Sequence, residues 1–133
     1  MTKTTDMLPV LTSDDIVRVR QEVRRHAIAA GLGLVDQTKI VTAASELARN
    51  LIDHAGGGSV EMEAIENSSH HGVRLIFEDH GPGIPDLEKA LTDGYTTGKG
   101  LGLGLGGARR LANEFKIETK VGEGTRITIA RWR

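Results

Sequence analysis

The amino-acid sequence predicts an α/β (α+β) two-layer sandwich, with helices covering one face of a mixed, mostly antiparallel sheet. Three observations lead there. Two long stretches carry apolar residues at helical spacing. Several shorter runs alternate apolar and polar residues and come in pairs joined by polar or glycine-rich turns. Strands joined in this way pair antiparallel, and amphipathic helices beside them bury their apolar stripe on the sheet. The chain has 133 residues, so one domain covering residues 1–133 is expected, long enough to build a core without disulfides or metals.

In chain order, residues 7–11 fit a short strand that Pro9 confines to an edge. Thr12 or Ser13 caps a helix, with Asp14 and Asp15 in its first turn, where the dipole favours anions. Ile16, Val19, Val23, Ala27 and Ala30 form its stripe, and Gly31 stops it. Asp36 is expected to start a second helix, whose stripe is Ile40, Ala44, Leu47, Leu51 and Ala55 and whose end is Gly56-Gly57-Gly58. Val60, Met62 and Ala64 share one face of a strand, as do Val73, Leu75 and Phe77, with residues 67–72 as the hairpin loop. The run His80-Gly81-Pro82-Gly83-Ile84-Pro85 excludes regular structure, and residues 86–92 fit a short helix. Leu105, Ala108, Leu111, Ala112 and Phe115 resume a helical period. Residues 116–121 and 125–132 close the chain as a hairpin around Gly122-Glu123-Gly124.

Composition removes whole classes of function. With 17 Lys+Arg against 18 Asp+Glu the formal charge is -1, so no basic field draws the chain to nucleic acid or anionic lipid. Phe77, Tyr95, Phe115 and Trp132 are too few aromatics for a base-stacking platform. The absence of cysteine excludes disulfides and thiolate chemistry and suits a reducing compartment. No apolar run approaches the ~20 residues of a membrane span, and residues 1–6 lack a signal-peptide pattern, so a cytoplasmic location is expected. Glycine is the exception to an ordinary composition. It occurs 17 times, where an average chain would have roughly 9, and seven of these lie between positions 94 and 107.

Three constellations carry candidate chemistry. Glu46 and Asn50, at i and i+4 on the second helix, present a carboxylate and an amide oxygen on one side, well away from the apolar stripe. A solvated helix face accounts for them; so does a site for hydrated Mg²⁺ and for a hydroxyl in need of a base. Asp79-His80-Gly81-Pro82-Gly83 ends a strand in a carboxylate that can accept from an exocyclic amine, followed by glycines that let the backbone approach a flat ligand. A plain turn stiffened by Pro82 and Pro85 is the alternative. Third, the glycine-rich stretch runs into a helix N-terminus, an arrangement that binds anions, and Lys99 adds a cation for a terminal phosphate. Residues 102–107 satisfy G-x-G-x-x-G, but no hydrophobic strand enters them, and no Walker A loop exists. His70 and His71 fit exposed loop histidines with no ligand spacing for a metal, and His26 and His54, on helices and able to accept phosphate, are expected to be surface histidines.

Taken in order, these segments resemble the Bergerat-type (GHKL) ATPase and kinase superfamily, which includes gyrase B, Hsp90, histidine kinases and anti-sigma serine kinases. Glu46-x-x-x-Asn50 resembles its N box and Asp79-x-Gly81-x-Gly83 its G1 box. Gly100-Leu101-Gly102-Leu103-Gly104 resembles its G2 box, and Gly122-Glu123-Gly124-Thr125 its G3 box. Within that superfamily the chain is most similar to the RsbT-like switch kinases of the stressosome, on residues 45–50, residues 78–86, and the terminal Gly122-Glu123-Gly124-Thr125 followed by Trp132.

The resemblance implies a Bergerat fold with ATP between helices and a glycine-rich lid around residues 92–104. Asp79 would accept the adenine amino group and Thr125 would support the same ring. Gly81, Gly83, Lys99, Gly100, Gly102 and Gly104 would surround the nucleotide. Asn50 would hold Mg²⁺ against the phosphates, and Glu46 would take the proton from a substrate serine or threonine. The implied function is an ATP-dependent protein serine/threonine kinase that phosphorylates STAS-domain proteins (RsbS/RsbR-like) in a partner-switching stress pathway. Once released from these, it would bind and activate a PP2C-type phosphatase (RsbU-like). An anti-sigma factor or other ATP-dependent binding regulator with little kinase activity is the alternative, and a plain ATPase is a third.

Overall fold

The first helix begins where an anion meets bare amides: Asp15 Oδ2 accepts the backbone N–H groups of Leu11 at 2.8 Å and Thr12 at 3.1 Å. In the computed structural model, which describes residues 5–91 and 104–133, this helix is α1 (Ser13–Ala29), preceded by the strand β1 (Thr5–Val10). Helix α2 (Leu34–Ala55) starts two residues before the expected Asp36. Gly33 supplies the cap, its carbonyl taking the Gln37 N–H at 2.8 Å. Asp36 lies inside the first turn instead, and its carboxylate is claimed by Arg131 at 2.7 Å. The helix ends at Gly56, as its glycine run predicts.

Strands β2 (Gly58–Glu66) and β3 (His71–Asp79) form the central hairpin. Its loop is shorter than expected, because Asn67 Oδ1 accepts the N–H groups of Ser69 and His70 and closes a tight Asx turn. A short α3 (Leu87–Ala90) follows. Helix α4 (Gly104–Leu111) is four residues shorter at its end than the period suggested. Phe115 lies instead on β4 (Glu114–Lys120), opposite Ile129 of β5 (Gly124–Trp132). Position 115 follows Leu111 at helical spacing and precedes Ile117 at strand spacing, so both periods fit it. The sheet wins at residue 113, whose N–H donates to the Ala130 carbonyl at 2.9 Å while its side-chain oxygen takes the Trp132 N–H at 2.7 Å.

The sheet order is β1-β2-β3-β5-β4, and every pairing among the described strands is antiparallel. Pro9 lies on the β1 edge, as a residue without a ladder donor should. α1 and α2 pack together on one face of the sheet, over Val60, Met62, Val73, Leu75, Phe77, Ile127 and Ile129, all buried in one continuous core. Ala64, expected on the same face, is exposed, although its cross-strand partner Val73 is fully buried. α4 packs along α2, which therefore has a helix on each flank. Placing β5 between β3 and β4 brings the end of β3 beside the start of β5, and this places the site.

Candidate functional site

Asp79 is the last residue of β3, and its cross-strand partner is Thr125, the second residue of β5. Both lie on the helix-covered side of the sheet, in register with the buried Phe77 and Ile127. The Asp79 carboxyl is half-buried, and its Oδ1 accepts the Gly81 N–H at 2.9 Å. Oδ2 has no partner among the described residues and can take a further donor.

Why the turn after Asp79 is built from glycines follows from what surrounds it. A Cβ on Gly81 would come 2.6 Å from the Ala55 Cβ, so the turn lies directly against the last turn of α2. Gly83 has φ +76°, and its Cβ would lie 2.5 Å from the Lys120 carbonyl oxygen. The Gly122 N–H donates to the Pro82 carbonyl at 2.8 Å, joining this turn to the β4–β5 hairpin.

On α2, Glu46 and Asn50 occupy successive turns of one side. Asn50 is half-buried and Glu46 only 8% exposed, whereas Asp53, next along, is exposed. The solvated-face account therefore holds for Asp53 and fails for Glu46. A stripe pointing away from the sheet is still enclosed when helices flank it on both sides. Neither the Glu46 carboxylate nor the Asn50 amide has a hydrogen bond or ion pair among the described residues. Among the described residues no enclosed side-chain oxygen is left without a partner, and a carboxylate in this position can take a cation or a donor. These two oxygen donors fit Mg²⁺. The helical rise places Glu46 about 13 Å along α2 from Ala55, against which the turn after Asp79 packs.

Gly104 opens α4, while Lys99, Gly100 and Gly102 lie outside the described residues. One further residue belongs to the site and has no counterpart in the motif set. Thr119 of β4 faces Thr125, with their hydroxyl oxygens 2.9 Å apart, and it accepts the Ile84 N–H at 2.9 Å. Thr125 is buried, 9% exposed. The sequence signal for Thr119 is its place on the last hairpin, and a turn centred on Glu123 pairs the wrong residue with Thr125. The true turn is shifted by one residue, centred on Gly122 with Lys120 opposite Gly124.

Elsewhere, a charge cluster among the described residues joins β1 to α1. Asp6 accepts from His26 and from Arg25, each at 2.7 Å, and these contacts, the His26 hydrogen bond foremost, hold its carboxyl below the usual range. Among the described residues no group of three or more His, Cys, Asp or Glu side chains could hold a metal, and no helix is long and apolar enough to cross a membrane.

Residues 35–133 match the family model described as histidine kinase-, DNA gyrase B- and HSP90-like ATPase. The chain is 46% identical to the serine/threonine-protein kinase RsbT of Bacillus subtilis over 123 residues, 92% of each chain. It is 30% identical to an anti-sigma F factor of Clostridium novyi, over 80% of this chain and 82% of that one. An anti-sigma F factor of Anoxybacillus flavithermus is 32% identical, over 74% and 70%. Among solved structures, the RsbU and RsbW domains of a Mycobacterium tuberculosis protein superpose with TM-score 0.65 at 20% identity. That match covers all of this chain, which spans about a third of that one (33%). The mycobacterial sensor histidine kinase MprB superposes with TM-score 0.56 at 19% identity over 97% of both chains. These last two likenesses concern the fold.

Proposed function

Because the chain belongs to the histidine kinase-, DNA gyrase B- and HSP90-like ATPase family, we propose that it is an ATP-dependent protein serine/threonine kinase acting in a cytoplasmic partner-switching pathway. The observation that carries this reading is Glu46: a largely buried residue whose carboxylate has no hydrogen bond or ion pair among the described residues, one turn from Asn50 on the helix that also backs the Asp79 turn. A pure binding protein has no need of a base there. The 46% identity to a protein named as a serine/threonine kinase supports it.

In this reading Asp79 Oδ2 accepts the adenine amino group, and Thr125 supports the same ring. The backbone at Gly81 and Gly83 borders the base, while Lys99, Gly100, Gly102 and Gly104 contact the phosphates. Asn50 orients Mg²⁺, which when bound neutralises phosphate charge. Glu46 removes the proton from a serine or threonine hydroxyl as its oxygen bonds to the γ-phosphorus, and the bond to the β,γ-bridging oxygen breaks to release ADP. The substrates are STAS-domain proteins and the released kinase binds a PP2C-type phosphatase. Both partners follow from the resemblance of the motif set to RsbT-like kinases.

A second reading is an anti-sigma factor or ATP-dependent binding regulator with little kinase activity, favoured by the two anti-sigma F factors at 30% and 32% identity. Incubation with labelled ATP and candidate STAS-domain proteins, followed by mass spectrometry, separates the two. A phosphoserine or phosphothreonine product is expected, and Glu46→Gln should lower its rate about 10²–10⁴-fold with nucleotide affinity retained. A wild-type protein that binds ATP and a partner but makes no phosphoprotein supports the second reading.

A further inference from the structure

Thr119 plays no part in the function proposed above, yet it lies at the centre of a hydrogen-bond chain. Its hydroxyl oxygen accepts the Ile84 N–H at 2.9 Å. That leaves its single proton to give, and two acceptors are within reach: Thr125 Oγ1 at 2.9 Å and the Gly124 carbonyl at 3.3 Å. Either hydroxyl can donate in the 2.9 Å contact, and the proposal assigns that proton to Thr119. When Thr119 donates to Thr125, the Thr125 oxygen has an incoming proton on one side, so its own proton turns outward to the space beside Asp79.

We propose that Thr119 is a positioning residue for the base, setting the Thr125 hydroxyl as a donor toward the ring nitrogen next to the exocyclic amine. This rests on the reading that the site holds ATP. Asp79 can only accept, and Thr125 so oriented donates, directly or through one water. An acceptor beside a donor is the complement of adenine, which offers an amine beside a bare ring nitrogen. Guanine offers a carbonyl oxygen beside a ring N–H and mismatches at both positions. The relay begins in the same turn that fixes Asp79. Ile84 N–H holds Thr119, and Gly81 N–H holds Asp79 Oδ1. One turn therefore sets both halves of the base-reading edge.

The test compares ATP with 1-deaza-ATP, in which the ring nitrogen is replaced by C–H, by calorimetry on the full chain. Wild type should bind ATP about tenfold more tightly than the deaza analogue. Thr119→Val should lose about five- to tenfold in ATP affinity and bind the deaza analogue as wild type does. Thr119→Ser, which keeps the hydroxyl, should stay within about twofold of wild type for both. Equal losses of Thr119→Val on the two nucleotides would mean that Thr119 only packs the turn, and would overturn the proposal. So would an unchanged ATP affinity. A wild type that binds ATP without preferring it over the analogue overturns it with no variant needed, even should Thr119→Val not fold. A wild type that binds neither nucleotide refutes the ATP reading itself and Thr119's role with it.

Discussion

In the proposed function, a carboxylate at the end of a strand and a carboxylate inside a helix are given different tasks, and their surroundings differ accordingly. Asp79 is half-buried with one oxygen already holding the Gly81 amide, so it is a fixed acceptor. In the proposed function, replacing it with asparagine puts a possible donor against the adenine amine. Asp79→Asn should weaken ATP binding roughly ten- to a hundredfold, the worth of a hydrogen bond to a charged group, measured by calorimetry. An unchanged affinity would reject its place at the base. Glu46 is more enclosed and has no partner among the described residues. Both residues are legible in the sequence as motif members, Asp79 as a strand end and Glu46 as an i,i+4 partner of Asn50. The burial of Glu46 is not, because a helical wheel counts the sheet as the only neighbour and α4 supplies another.

Among the elements, the turn at residues 80–85 and the last hairpin act as one unit. Pro82 and Gly122 are joined through the backbone, and Ile84 and Thr119 through a side chain. Gly83 carries this contact, with φ +76° and the Lys120 carbonyl where a Cβ would go. Gly83→Ala should therefore cost about 1–3 kcal/mol in urea unfolding, from left-handed strain and the displaced strand end. A variant as stable as wild type would show that the turn gives way freely. The strands, their hairpins and the edge position of β1 are all readable from alternation, Pro9 and the turn residues. The end of α4 is not, since residue 115 stands at helical spacing from 111 and at strand spacing from 117, and the Asn113 bonds to β5 decide between them.

The whole molecule is held by contacts between parts distant in sequence. Arg131 of β5 reaches Asp36 in the first turn of α2 and the Leu111 carbonyl at the end of α4. At the other edge Asp6 of β1 holds His26 and Arg25 of α1. The Asp6 carboxyl is held low, first by the His26 hydrogen bond. A group whose folded pKa lies below its unfolded value of about 3.9 stabilises fully above that value and loses its effect as pH falls through the folded pKa. Asp6→Asn should thus be less stable than wild type near pH 5, and the gap should close progressively as the pH drops below about 4. A gap that persists in strong acid would assign the effect to packing rather than to the charge.

The local periods, the glycine turns and the ordered motif set were sufficient, from the sequence alone, to predict a helix-covered antiparallel sheet and to name Glu46, Asn50, Asp79 and Thr125. These are local properties: a helix stripe, a strand alternation and a turn depend on residues within a few positions of each other. Tertiary structure alone decided that β5 enters between β3 and β4, that Glu46 is enclosed, and that Thr119 faces Thr125. Each of those depends on register and on which elements become neighbours. A one-residue shift of a hairpin turn moves the cross-strand partner by two positions, and no local pattern in the chain specifies it.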